Sequence, residues 1–411
     1  MFALLKTALD HIVVAGNLVI TDSKGNQHAY GNGSGSLVHV RFNNSWSERQ
    51  VALDPALKLG EAYMEGGLDF IEGDIYQLLG IIFENTGDTA EKEPWMRFLN
   101  SLRTFTKRFS QLNNLRKSRR NIQHHYDLSP ELYDLFLDKD RQYSCAYFET
   151  PSSSLEEAQL AKKRHLAAKL QIKPGDKVLD IGCGWGGLGL YLAQICEADV
   201  TGVTLSQEQH KIANERAQAA GLINRCRFLL QDYRTLGEQF DHIVSVGMFE
   251  HVGIGHYLEY FSQVRKLLKP DGLFVLHSIG RNGIPGATNP FIAKYIFPGG
   301  YIPALSEVIP MIEKSGFVMN DIEILRRHYA DTLLAWREAF MARREQAQVL
   351  YDERFCRMWE FYLAASESAF RWQNMMVFQI QMAHHQEVAP LTRAYIEREE
   401  SRLAKIEQIR F

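Results

Sequence analysis

The chain has 411 residues, enough for one large domain and a smaller one with full cores. Apolar residues make up 45% and charged residues 23%, and the formal net charge of −3 excludes a globally basic nucleic-acid binder, so attraction to a polyanion would have to be local. Five cysteines, odd in number, widely spaced and without a Cys-x-x-Cys, argue against a disulfide framework and a structural zinc site.

The first residues, Met1 to His11, carry an acid within the apolar stretch and no cationic start, which does not read as a signal peptide. No window of about 18 apolar residues occurs, so no spanning helix is expected, and the reading is a cytoplasmic protein. Residues 1–95 read as a small α+β domain, with strands at Gly16–Thr21 and Leu37–Phe42 between Gly- and Asn-rich turns and a helix beginning at Leu57. Residues 96–120 form a basic linker. Arg97, Arg103, Lys107, Arg108, Arg116, Lys117, Arg119 and Arg120 occur there with no acid among them. Two readings stand: a solvated helix, or a patch for anionic lipid head groups, each Lys or Arg near such a surface contributing about 1 kcal/mol.

From about residue 170 near-continuous apolar strands alternate with helices, the mark of a parallel sheet covered on both faces. Strands are expected at Lys177–Ile181, Ala198–Leu205, Arg227–Leu230, His242–Val246 and Leu273–His277. Helices are expected at Leu188–Ile195, Gln207–Ala220 and Tyr257–Leu268, and a late strand at Asn374–Met382. The segment of more than ninety residues before that strand is too long for a connection and predicts a helical cap. Residues 387–411 read as a charged helical tail.

The chemistry-bearing motif is Asp180-Ile-Gly-Cys-Gly-Trp-Gly-Gly187, between the first strand of this region and its helix. Glycines there let a ligand approach the backbone at the carboxyl edge of the sheet. Gly182, Gly184 and Gly187 also satisfy G-x-G-x-x-G, which fits dinucleotides as well. Two features argue against a nicotinamide cofactor. The second strand ends Gly202-Val-Thr-Leu-Ser206 without the acid that holds an adenosine ribose, and Asp180 would be poorly placed beside a pyrophosphate. A carboxylate there suits the cationic amino-acid part of S-adenosylmethionine (SAM); nucleotide binding and a structural glycine turn are the alternatives.

Leu179-Asp-Ile-Gly-Cys-Gly-Trp-Gly186, followed by Thr204-Leu-Ser-Gln-Glu-Gln209, resembles the cyclopropane-fatty-acyl-phospholipid synthase family, which includes the mycolic acid cyclopropane synthases. Further matches are Asn121 to Asp127, Tyr143 to Phe148, Met248 to Gly253, His277 to Gly280, Lys294 to Gly299, and His328-Tyr329 with Leu334-Ala-Trp336. The N-terminal domain is similar through Leu59 to Gly66. The resemblance implies a doubly wound, Rossmann-like seven-stranded α/β sheet with a helical cap insertion over residues 121–386, after the small α+β domain. It implies that Thr204 and Gln209 serve SAM in place of the ribose acid and that Asp232 and Tyr233 flank the adenine. Tyr143 and Ser144 lie in the segment that closes over SAM, and Gly182, Cys183 and Gly184 in the loop beneath it.

An alkene is a weak nucleophile, so the electrophilic methyl of SAM must be held in line with it. Methyl transfer leaves a carbocation, and ring closure requires a base. The resemblance implies bicarbonate, held by the side chains of Glu250, His277 and Tyr329 and by the backbones of Cys145 and Ile279. Tyr295, Phe297 and Tyr301 are candidates for cation–π stabilisation. Structural roles compete for each of these residues, and no His/Asp/Glu cluster accompanies His277 as a metal site would require. Two departures occur: Ser129-Pro130-Glu131 stands where relatives often carry Gly-Asn, and Ser366 where a late-helix cysteine is common. The implied substrates are unsaturated phospholipids, met at an anionic membrane surface on the inner face; a homodimer stays open. A methyl-branching or amine methyltransferase is the alternative, and a non-catalytic lipid-binding protein a third.

Overall fold

A computed structural model describes residues 2–86 and 128–410. The basic stretch 96–120 and the Asn121–Asp127 motif lie outside the described residues.

The N-terminal part contains helix α1 (Phe2–Ile12), strands β1 (Leu18–Thr21), β2 (Gln27–Tyr30) and β3 (Val38–Phe42), helices α2 (Ser45–Leu53) and α3 (Pro55–Met64), strand β4 (Leu68–Glu72) and helix α4 (Ile75–Thr86). Its sheet has the order β2-β1-β3-β4. The β3 pattern Val38, Val40, Phe42 inward and Arg41 outward is the period-2 signal that made this strand readable. Strand β2, Gln-His-Ala-Tyr, buries only Tyr30 and offers no such pattern, so it and β4 went unread.

The larger part begins with the short helix α5 (Pro130–Asp134) and α6 (Leu155–Leu170), which opens with a Ser154–Glu157 capping box. Then follow β5 (Lys177–Ile181), α7 (Gly187–Ile195), β6 (Asp199–Thr204), α8 (Gln207–Ala219), β7 (Cys226–Leu230), β8 (Phe240–Val246), α9 (Tyr257–Leu267) and β9 (Leu268–Arg281). The chain continues through α10 (Leu305–Ser315), β10 (Val318–Leu325), α11 (His328–Ala342), α12 (Arg344–Leu350), α13 (Glu353–Trp372), β11 (Met375–Ala383) and α14 (Ala394–Arg410). The seven-stranded order is β10-β11-β9-β8-β5-β6-β7, with β11 antiparallel to both neighbours. Neighbours β6 and β8 flank β5, which puts the topological switch point, and hence the ligand crevice, at its carboxyl end. The seventh strand, β10, was not anticipated individually. Asn320 and Asp321 interrupt its apolar run, and a register irregularity falls between Met319 and Asp321.

Helices α11 to α13 form the cap. The N-terminal part docks on α13: Phe361 and Ala364 of that helix belong to the N-terminal core. Gly60 on α3 is required by this contact, since a Cβ there would lie 2.6 Å from the Phe291 ring and 2.7 Å from that of Phe361. Glu61 accepts from Lys294 (2.7 Å) and Tyr295 (2.9 Å), and Arg357 donates to Asp69 (2.8 Å). The C-terminal tail is a docked helix. On α14, Leu403 is fully buried, and Glu407 accepts from the Tyr191 hydroxyl (2.6 Å) on α7.

Candidate active site

At the end of β5 the chain turns through Gly182 and Gly184, both with positive φ, and Gly186 is the cap residue that precedes α7. The turn needs glycine for space as well as for φ: a Cβ on Gly182 would sit 2.8 Å from the Met248 Cβ, and one on Gly187 would sit 2.2 Å from the Gln142 Nε2. The loop after β8 and the segment before α6 therefore close directly on the glycine turn. Between them lies one cleft. All ten residues read as cofactor-binding line it: Tyr143, Ser144, Asp180, Gly182, Cys183, Gly184, Thr204, Gln209, Asp232 and Tyr233.

Asp180 is 2% exposed, and its Oδ2 has no hydrogen-bond partner among the described residues. Burial pushes its carboxyl up to about 7, opposed by the positive charge of Lys162. A buried carboxyl facing a cleft, with one oxygen lacking a partner among the described residues, fits a cationic ligand group such as the amino group of SAM. At the end of β6 the Thr204 hydroxyl donates to Gln209 Oε1 (2.9 Å) and accepts from the Ser206 amide (3.2 Å), so the two side chains are fixed against each other. Asp232 caps the turn at Tyr233–Thr235 and is clamped by the Arg234 guanidinium (2.9 and 2.8 Å).

The five residues read as catalytic do not line the open cleft; they are packed in the interior adjoining it. The turn Phe249–His251 after β8 carries Glu250, whose Oε1 accepts from the Ile279 amide (2.7 Å) on β9, while its Oε2 has no partner among the described residues. Burial pushes this carboxyl up to about 7 as well. The Ile279 amide, expected as a donor of the anion cradle, thus holds Glu250 in this structure. His277 lies opposite Gln379 of β11, whose side-chain nitrogen stands 3.2 Å from Nδ1; burial holds the ring well below the usual histidine range, so it is neutral. The Cys145 thiol is buried, donates to the Ala146 carbonyl (3.3 Å) and is pushed by burial well above the ordinary thiol value, which favours the neutral thiol. Tyr329, at the start of α11, packs its ring against Trp336 and Phe370. Cys145, Ile279 and Tyr329 share one apolar cluster.

Of the three aromatic candidates, Tyr295 carries Lys294 over its ring and donates to Glu61, and Tyr301 donates to Glu307 from a separate cluster. Phe297 is the ring that adjoins His251 and Tyr362. Several site residues were not singled out by sequence. His251 lines the cleft and is driven down to about 4 by burial, hence neutral. Tyr362 shares a hydroxyl–hydroxyl hydrogen bond (2.8 Å) with Tyr143, and Thr332 accepts from the Ala146 amide (3.0 Å). Lys162 carried no sequence signal: α6 is polar overall and lacks an amphipathic stripe, a pattern expected of a solvated helix, and only its packing buries it.

A seven-stranded doubly wound sheet with an acid and a glycine turn after its first strand marks a SAM-dependent methyltransferase, although the ribose acid usual after the second strand is missing here. A family model described as mycolic acid cyclopropane synthetase matches residues 113–380, and one described as a domain of unknown function matches residues 5–94. The cyclopropane-fatty-acyl-phospholipid synthase of Escherichia coli K12 is 40% identical over 343 residues, 83% of this chain and 86% of that protein. The structure of the cyclopropane synthase MmaA2 from Mycobacterium tuberculosis is 34% identical with a TM-score of 0.63, covering 66% of this chain and all of that one. The mycolic acid cyclopropane synthase CmaA1 complexed with SAH and CTAB gives a TM-score of 0.61 at 34% identity, over 64% of this chain and 97% of that one. The chain belongs to the mycolic acid cyclopropane synthetase family.

Proposed function

We propose that this enzyme transfers a methylene group from SAM to the cis double bond of unsaturated phospholipid acyl chains, forming a cyclopropane ring. The observation that carries the choice of phospholipid is the extent of the match. The 343 residues shared with the E. coli enzyme cannot fit within residues 113–411, which number 299, so that likeness reaches into the N-terminal part. The MmaA2 match covers only 66% of this chain while using all of its own.

In this reading the orphaned Asp180 takes the amino group of SAM, Thr204 and Gln209 hold the ribose side, and Asp232 and Tyr233 flank the adenine. When bound, SAM would supply an electrophilic methyl: a C–C bond to the alkene would form as the methyl–sulfur bond breaks and S-adenosylhomocysteine leaves, with the positive charge passing to the acyl chain. Loss of a proton from the transferred methyl then closes the ring. The partnerless Glu250 Oε2, neutral His277 and Tyr329 suit a small hydrogen-bonding anion, and bicarbonate held there would supply the proton acceptor. The Cys145 backbone completes that cradle, and the Ile279 amide supports it through Glu250. Phe297 offers its ring face to the cation.

Expression in a host lacking cyclopropane lipids is expected to give phospholipids heavier by one methylene per modified chain, with upfield ring-proton resonances in their NMR spectra. Methyl-branch resonances on chains of the same mass would assign the branching reaction instead.

The acyl double bond must be drawn from the bilayer, and among the described residues no helix is long and apolar enough to cross a membrane. The basic stretch at 96–120 is the feature suited to adsorption on an anionic surface of the inner leaflet. Changing Arg116, Lys117, Arg119 and Arg120 to Gln is expected to lower binding to anionic vesicles, and the wild-type advantage should vanish as the screening length falls from about 10 Å at 0.1 M salt to about 3 Å at 1 M. Equal sedimentation of both proteins with vesicles at low salt would make the stretch a solvated linker.

A further inference from the structure

Helix α6 carries Lys162 into the interior beneath the segment that closes the cleft. Its side chain is fully buried, and its Nζ donates to Gln142 Oε1 (2.6 Å) and Ser144 Oγ (2.7 Å). Lys163 and Lys169 on the same helix are paired with Asp140 and Glu323, whereas Lys162 bonds neutral oxygens, with Asp138 and Asp140 acting from further away. One turn earlier, Gln159 Nε2 donates to the carbonyls of Gln142 (3.1 Å) and Ser144 (2.9 Å). Two side chains of one helix therefore fix both the backbone and the side chains of the segment. Gln142 and Ser144 line the cleft.

An ammonium buried without a direct ion pair is costly, and burial drives this one down to about 8. Its placement has a chemical consequence. A hydroxyl that accepts from an ammonium keeps its own hydrogen for another partner, so Ser144 is set up as a donor. The positive charge behind it favours an anionic acceptor.

We propose that Lys162 is a positioning residue for the cosubstrate: it orients Ser144 to donate to the α-carboxylate of SAM and supplies that carboxylate with a buried countercharge. This rests on the reading of the cleft as the SAM site with the amino group at Asp180.

The test compares two ligands, S-adenosylhomocysteine and its decarboxylated analogue, by calorimetry on the full chain. Lys162→Met is expected to weaken S-adenosylhomocysteine at least about tenfold more than the decarboxylated analogue, whose own loss is only that from the charge Lys162 lends to ionised Asp180. Ser144→Ala, which leaves the countercharge in place, is expected to show a smaller loss of the same selectivity, and to add little to Lys162→Met in the double variant, because its share depends on the lysine. Equal losses for both ligands, or none, would overturn the proposal. If Lys162→Met does not fold, Ser144→Ala with the same ligand pair carries the test: an unselective loss rejects the relay. A wild-type protein that binds S-adenosylhomocysteine but does not distinguish the two ligands would also overturn it. Failure to bind S-adenosylhomocysteine at all would instead reject the cleft as the cosubstrate site, and the proposal with it.

Discussion

Replacing Glu250 by Gln is expected to lower turnover by about 10²–10⁴-fold, the range associated with a lost acid–base function, while SAM affinity stays within about twofold. The split follows from geometry. Glu250 does not line the cleft in which the cosubstrate residues are gathered, and its partnerless Oε2 points to a proton-transfer or anion-holding role. The pH dependence has a definite sign. Burial raises this carboxyl to about 7, so it is largely protonated below that pH and ionised above. If the ionised form accepts the hydroxyl of a bound bicarbonate, turnover rises through pH 7, and this inflection disappears in Glu250→Gln. His277→Ala should give a comparable loss. Activity in thoroughly bicarbonate-depleted buffer should fall and recover when the ion is restored. A depleted enzyme working at full rate would show that no bicarbonate is used, and an unaltered pH profile in Glu250→Gln would remove Glu250 from the proton path.

Asp180→Asn is expected to weaken SAM binding by about 10- to 100-fold, the worth of a charge-assisted hydrogen bond to a buried carboxylate. It should do so without unfolding the chain, because volume is conserved. Linkage gives two further signatures. The carboxyl of the ligand-free protein is raised from 3.8 to about 7, so folding is disfavoured by its ionisation, and the penalty grows as pH rises from the unfolded value toward 7. The ligand-free Asn variant should therefore melt higher than wild type at pH 8, with little difference at pH 4. Binding of a cationic amino group favours the ionised form, so SAM binding near pH 7 should release protons from wild type and not from the variant. Calorimetry in buffers of different ionisation enthalpy measures this directly. Unchanged SAM affinity in the variant would dissociate Asp180 from the cosubstrate.

Much of the catalytic half was legible because its signals are local. The strand from Lys177 to Ile181 is apolar, and the glycines that follow it are demanded by positive φ and by Met248 and Gln142 pressing on the turn. Strands whose partners bury both faces announce themselves as apolar runs. Strands β2 and β10 do not: β2 buries a single side chain, and Asn320 and Asp321 interrupt the apolar run of β10. The C-terminal helix read only as charged, yet Leu403 and Glu407 lock it to the large domain through partners some two hundred residues away.

The sequence by itself determined the glycine turn with its acid, the missing ribose acid and the chemical kinds of residue that an alkylating site needs. Each depends on residues close together in the chain, whose spacing is fixed by strand, turn and helix geometry. Tertiary structure alone decided which buried groups meet. It joined Glu250 to the Ile279 amide, set Gln379 beside His277, engaged Tyr295 and Tyr301 with other partners, and put the ammonium of Lys162 beneath Ser144. Sequence could not supply these pairings, because burial sets both the cost of an unpaired charge and the shift of a carboxyl. Burial is a property of what packs across the fold, not of what stands next in the chain.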